Sequence, residues 1–140
     1  MATAKGECAL CLVRVGELQL LFDPAEVRTI EGVYVAGRLL AEGIEPHEID
    51  LRDGLQVDSR ETRPESLIVD SPRGPLRFVV CRIEQILRSE LREVYPLPTV
   101  LKRYGRRLGL RGVIDLRGRV AYLAAPADLG LALDSRQAAA

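Results

Sequence analysis

Residues 8–22, CALCLVRVGELQLLF, are two short apolar runs divided by Gly16, a spacing and composition that predict a β-hairpin. Asp23-Pro24-Ala25-Glu26 follows directly. It sets an acceptor at an N-cap, proline at the first helical position and a carboxylate two residues later, the pattern of a helix start. The expectation is a short helix to about Ile30, with Val27 and Ile30 sharing a face as a contact ridge or packing on the hairpin.

Outward from there the chain reads mostly as strands. SLIVD (66–70) and LRFVVC (76–81) flank the turn-rich Ser71-Pro72-Arg73-Gly74-Pro75, a second hairpin. Leu110–Leu116, Gly118 and residues 120–125 form a third, and Pro126-Ala127-Asp128-Leu129 opens a terminal helix before a frayed SRQAAA. Between the first two hairpins, Gly37, Gly43, Pro46 and Gly54 interrupt the chain, leaving Val33-Tyr34-Val35 and Ile49-Asp50-Leu51 as short strands. Ile83, Ile86, Leu87 and Leu91 suit a helical turn and an irregular strand equally. After Pro96-Leu97-Pro98, residues 99–107 predict one to two helical turns closed near Gly105 or Gly109. Short strands without βαβ alternation predict a mainly β chain of one or two small barrels.

Composition sets the bounds. At 140 residues the chain is one domain, and 47% apolar with 29% charged residues is a globular balance. The opening MATAKGE lacks the order of an export signal, and no apolar run approaches the roughly 18 residues of a membrane span. A cytoplasmic location without membrane insertion is the expectation. Three cysteines then read as small core residues rather than a disulfide framework. The net charge of zero hides a division: residues 1–70 carry seven Lys and Arg against fourteen Asp and Glu, and residues 71–140 carry thirteen against six. Either two lobes attract each other or two opposite surfaces face charged partners.

Catalytic and metal chemistry find little support. Cys8 and Cys11 have the spacing of a redox or zinc pair, but three apart on a strand they point to opposite faces. His47 is the sole histidine, and its acidic neighbours Glu48 and Asp50 define no ligand set. No phosphate loop, nucleophile elbow or dinucleotide fingerprint occurs, so no acid, base, nucleophile, metal or cofactor is assigned. Lys102, Arg103, Arg106, Arg107, Arg111, Arg117 and Arg119 offer a nucleic-acid alternative on a small barrel. Only Tyr104 and Tyr122 lie nearby for stacking, and a solvated face or protein contact is favoured.

Residues 77–98, RFVVCRIEQILRSELREVYPLP, resemble the part of CheW-like chemotaxis coupling domains where a strand leads through spaced aliphatics to Pro-x-Pro. Residues 108–131, LGLRGVIDLRGRVAYLAAPADLGL, resemble the closing hairpin and helix of that family. Residues 9–32, ALCLVRVGELQLLFDPAEVRTIEG, resemble its opening unit, and IDLRDGL (49–55) resembles its mid-chain Asp-Leu-Arg strand end. The match spans residues 8–131 as a single domain, with 1–7 and 132–140 as flexible ends.

The resemblance implies two intertwined five-stranded barrels, each SH3-like, with an apolar groove between them and no catalytic residues. It implies as partners the cytoplasmic tip of a methyl-accepting chemotaxis receptor, and a CheA-type histidine kinase or another CheW-like protein. Val27, Arg28, Thr29 and Ile30 fall where the family presents a contact ridge, with Thr29 where an acidic residue is common. Ile83, Ile86 and Leu87 fall where a receptor helix would lie in the groove. One departure stands out: residues 31–48 are all that fills an interval longer in the family, and its Asn-Leu-Arg-Gly turn is absent. Leu110-Arg111-Gly112 and Leu116-Arg117-Gly118 lie in the closing unit and do not replace it. A shortened first barrel and an accessory coupler with weak or no kinase binding are the resulting expectations.

Overall fold

The computed structural model of the protein describes residues 8–57 and 63–139, so the expected flexible segment 1–7 lies outside the described residues. β1 (Cys8–Val15) and β2 (Leu18–Phe22) form the first hairpin as an antiparallel pair. Gly16 turns it with a φ of 62°, and a Cβ there would meet Val57 Cγ1 at 2.3 Å. Both facts make any larger residue at this position strained.

The chain continues through β3 (Val27–Val33), β4 (His47–Asp50), α1 (Leu51–Gly54), β5 (Glu65–Ser71) and β6 (Gly74–Val80). It then runs through β7 (Arg82–Leu87), β8 (Val94–Tyr95), α2 (Thr99–Arg107), β9 (Leu110–Leu116), β10 (Arg119–Ala124) and α3 (Pro126–Ala139). The three expected hairpins, α2 and the start of α3 are all present. Two sheets result, six strands in the order β7-β1-β2-β10-β9-β8 and four in the order β3-β5-β6-β4. The two ends of the chain build the larger sheet, and the continuous middle, β3 to β6, builds the smaller one nested between them. The division into six and four replaces the expected five and five. Residues 34–46 contribute no strand, and β4 supplies only four residues, parallel to β6.

Packing explains the sequence pattern. Cys11, Val13, Val15, Leu20 and Phe22 of the large sheet meet Leu67, Val69, Leu76, Phe78 and Val80 of the small one in the main core. Phe22 and Phe78 bridge the sheets with ring centroids 6.1 Å apart at 52°. Leu12 and Leu21 point the other way, into a second cluster with Ile86, Ile114, Leu116 and Ala121. β1 and β2 are therefore buried on both faces, which is why they read as near-continuous apolar runs rather than alternating ones.

Three expectations need correction, and one open alternative is decided. The helix expected to about Ile30 is only a 3-10 turn, Pro24–Glu26, capped by Asp23, whose Oδ1 accepts from the Ala25 N–H at 2.9 Å. The β-branched Val27, Thr29 and Ile30 that follow pair in β3 with Val69, Ile68 and Leu67, because extended backbone suits their stiff side chains. The strand expected at Ile49-Asp50-Leu51 breaks at Asp50, whose carboxylate caps α1 through the Arg52 N–H at 3.0 Å. The segment left open at 83–91 is a strand, β7, followed by a 3-10 turn, Arg88–Glu90. Finally, α3 reaches Ala139 and Leu133 is buried in the main core, so the packed chain extends past residue 131.

Candidate protein-docking groove

β3 and β7 are each an outer strand, one of the small sheet and one of the large. Where they come near each other, Cys11, Pro24, Val27, Thr29, Ile30 and Gln85 line a groove of about 230 Å³. Pro24 fixes the approach of the chain, Val27 packs against the main core, and Ile30 stays 44% exposed at the rim. Glu65 ties the two sheets beside it by accepting the Ile83 N–H at 2.7 Å. The lining is aliphatic, with one hydroxyl and one amide. It can hold apolar side chains of a partner and orient them with a few hydrogen bonds, and it carries no acid or base placed for chemistry.

The seven residues expected to contact partners divide three ways. Val27, Thr29 and Ile30 line the groove together, on a strand rather than a helix. Arg28 turns away from it and forms ion pairs with Glu42 and, at 3.6 Å, with Asp70. On β7, Ile83 packs against the main core, while Ile86 is fully buried in the second cluster and cannot line a groove. Strand alternation separates them. Leu87 is partly exposed, and its N–H donates to Glu90 Oε2 at 3.1 Å. The lining residues absent from the sequence expectation are Pro24, Cys11 and Gln85. Gln85, a polar residue inside an aliphatic run, was the available signal.

A larger cleft of about 540 Å³ lies under residues 34–46, lined by Gly37, Arg38, Glu45, Pro46, His47, Glu48 and Arg77. Most of its charge is paired within the fold. Arg77, in the middle of β6 and 2% exposed, donates to both oxygens of Glu31 at 2.7 and 2.8 Å, and Ser66 Oγ donates to the same carboxylate at 2.8 Å. The Arg77 hydrogen bond, above all, holds the Glu31 carboxyl below its ordinary range, and Glu31 in turn raises Arg77. Tyr34 donates to Glu48 at 2.5 Å, which raises its phenol. Arg38 donates to the carbonyls of Glu31 (3.4 Å) and Val33 (3.1 Å), so this loop closes over the β3 edge. Here the loop does the covering that a further strand would do.

The other chemical candidates resolve quietly. His47 Nε2 lies 2.7 Å from Asp134 Oδ1, joining β4 to α3. Cys11 is buried. Among the described residues no three His, Cys, Asp or Glu side chains gather as a metal site, and no helix is long and apolar enough to cross a membrane.

Two sheets sharing one core with a C-terminal helix make this a mainly β chain with the CheW fold of the solved structure it is similar to. Among solved structures it is similar to the scaffolding protein TtCheW from Thermoanaerobacter tengcongensis. The TM-score is 0.56 at 11% identity, covering 84% of this chain and 88% of that one. No protein-family model and no curated protein matches the sequence.

Proposed function

We propose that the protein is a non-enzymatic chemosensory adaptor that docks the cytoplasmic tip of a methyl-accepting chemotaxis receptor in the β3/β7 groove. The observation that carries this reading is the meeting of two outer strands, one from each sheet, around an apolar groove in a fold shared with a scaffolding protein. A groove of this size is an anchor rather than a whole interface, since stable interfaces bury about 1,600 Å² in total. Ile30 in the groove, with Val33 and Leu87 exposed on the same two strands, supplies further apolar area for a helix laid across both strands.

Coupling to a CheA-type histidine kinase, or to another CheW-like protein, is weak or absent in this reading. Its support is the remodelled small sheet: residues 34–46 form a loop closed over β3 by Arg38, and Thr29 faces the groove in place of an acidic residue. The nucleic-acid alternative is disfavoured because Tyr122 lies apart from the basic helix, in the cleft with Glu17 and Arg119.

Calorimetric titration with a receptor cytoplasmic tip, and separately with the kinase regulatory domain, tests this. The expected result is receptor binding that Ile30→Asp weakens about tenfold, with little heat from the kinase domain. Binding to neither partner sinks the adaptor reading. Kinase binding as tight as receptor binding sinks the accessory part alone.

A further inference from the structure

α2 is an amphipathic surface helix that also carries apolar side chains on its outer face. Leu101, Gly105 and Leu108, on its inner side, are buried or half-buried. Its outer stripe is Val100, Arg103, Tyr104 and Arg107, at spacings i, i+3, i+4 and i+7, and all four are exposed. Val100 is 88% exposed and Tyr104 57%, so two apolar side chains stand out together on the outer face of an otherwise charged helix. Val94 and Tyr95 of β8, the short outer strand paired to β9, are exposed as well.

Charge adds a second, independent observation. Arg111 pairs with Asp128 at 3.6 Å, and Arg117 pairs with Glu90 and with Glu84. Among the described residues no carboxylate pairs with Lys102, Arg103, Arg106 or Arg107. Arg106 and Arg107 sit in the last turn, where they favour the helix dipole, but Lys102 and Arg103 have no such reason to be there. Part of the charge division in the sequence is therefore realised on this helix as an outward-facing surface, while Arg77 of the basic half pairs with Glu31 and Glu48 of the acidic half. Beside the stripe, Tyr104, Arg107, Leu108 and Ala132 line an open cleft of about 480 Å³ between α2 and α3.

We infer that this face is a second docking surface, separate from the β3/β7 groove, and that its occupant is an acidic amphipathic helix of a partner protein. Apolar side chains on one side of that helix would enter the α2/α3 cleft and cover Val100 and Tyr104. Carboxylates flanking them would neutralise Lys102, Arg103, Arg106 and Arg107. The concave, aliphatic part of the site, Leu108 and Ala132, is what a phosphate backbone has no use for and an apolar side chain does.

The test uses fluorescence anisotropy with the full chain and a synthetic peptide carrying Leu at helical i, i+3, i+4 and i+7 positions and Glu between. A scrambled peptide of the same composition and a single-stranded oligonucleotide are the comparisons. The expected result is binding that weakens with salt, about tenfold tighter for the ordered peptide than for the scrambled one. Arg103→Glu with Arg107→Glu should abolish it, Val100→Asp and Tyr104→Ala should remove the preference for the ordered peptide, and Arg119→Glu should change nothing. Any variant that melts early is replaced by Val100→Ser, a milder change at the same exposed position. Equal binding of the two peptides, indifference to the α2 variants, tighter binding of the oligonucleotide, or self-association through α2 without peptide would each overturn the proposal.

Discussion

The large sheet and the small sheet solve the same problem, covering both faces, in different ways. The large sheet buries aliphatic side chains on each side: Val13 and Phe22 in one cluster, Leu12 and Ile86 in the other. The small sheet buries aliphatics toward the shared core, and on its other face it buries an ion pair, Glu31 with Arg77, next to Ile68 and Val79. Loss of one apolar group leaves a cavity, whereas loss of one partner of a buried pair leaves the other charge without compensation. The small sheet is therefore the one that is brittle to a change of charge.

The strongest way to break the comparison is at the seam the sheets share. Phe78→Ala removes the ring that meets Phe22 and should cost about 4 kcal/mol, unfolding both sheets in one transition by chemical denaturation. Two transitions would show that the sheets are separable units. Glu31→Gln should come next, at about 3 kcal/mol, with the double change Glu31→Leu and Arg77→Met recovering most of that loss. If the double variant were as unstable as the single one, the brittleness would come from packing and not from charge.

Acid sharpens the same contrast. The Glu31 carboxyl is held low in the folded state, so the unfolded chain binds its proton more readily. The pair's contribution is then full above the unfolded carboxyl's pKa of about 4.3 and is lost as pH falls through the lower folded value. Stability should decline below that pH, and Glu31→Gln should make the decline shallower in denaturation curves taken across the acid range. The smallest effect belongs to Asp50→Ala, which removes the α1 cap and should cost about 1 kcal/mol by thermal unfolding while leaving the β3/β7 groove intact.

Part of this site was legible beforehand and part was not. The sequence groups Val27, Thr29 and Ile30, and they line one groove, yet they read as helical because Asp23-Pro24 is a real helix start. What sequence could not show is that the helix ends after one turn once β5 offers β-branched residues a partner. Ile86 was misplaced for a related reason: spacing within a segment open to two structures cannot say which face is buried. Gln85 and Pro24 reach the groove only because the two sheets bring β7 beside β3.

By itself the sequence determined the mainly β character, the three hairpins, α2 and the start of α3, because turn chemistry and apolar runs act over a few neighbouring residues. The tertiary structure alone decided how the strands divide into six and four, which outer strands flank the groove, and that Glu31 finds Arg77. Those outcomes depend on pairings between residues far apart in the chain, where many registers satisfy local preference and only mutual burial selects one.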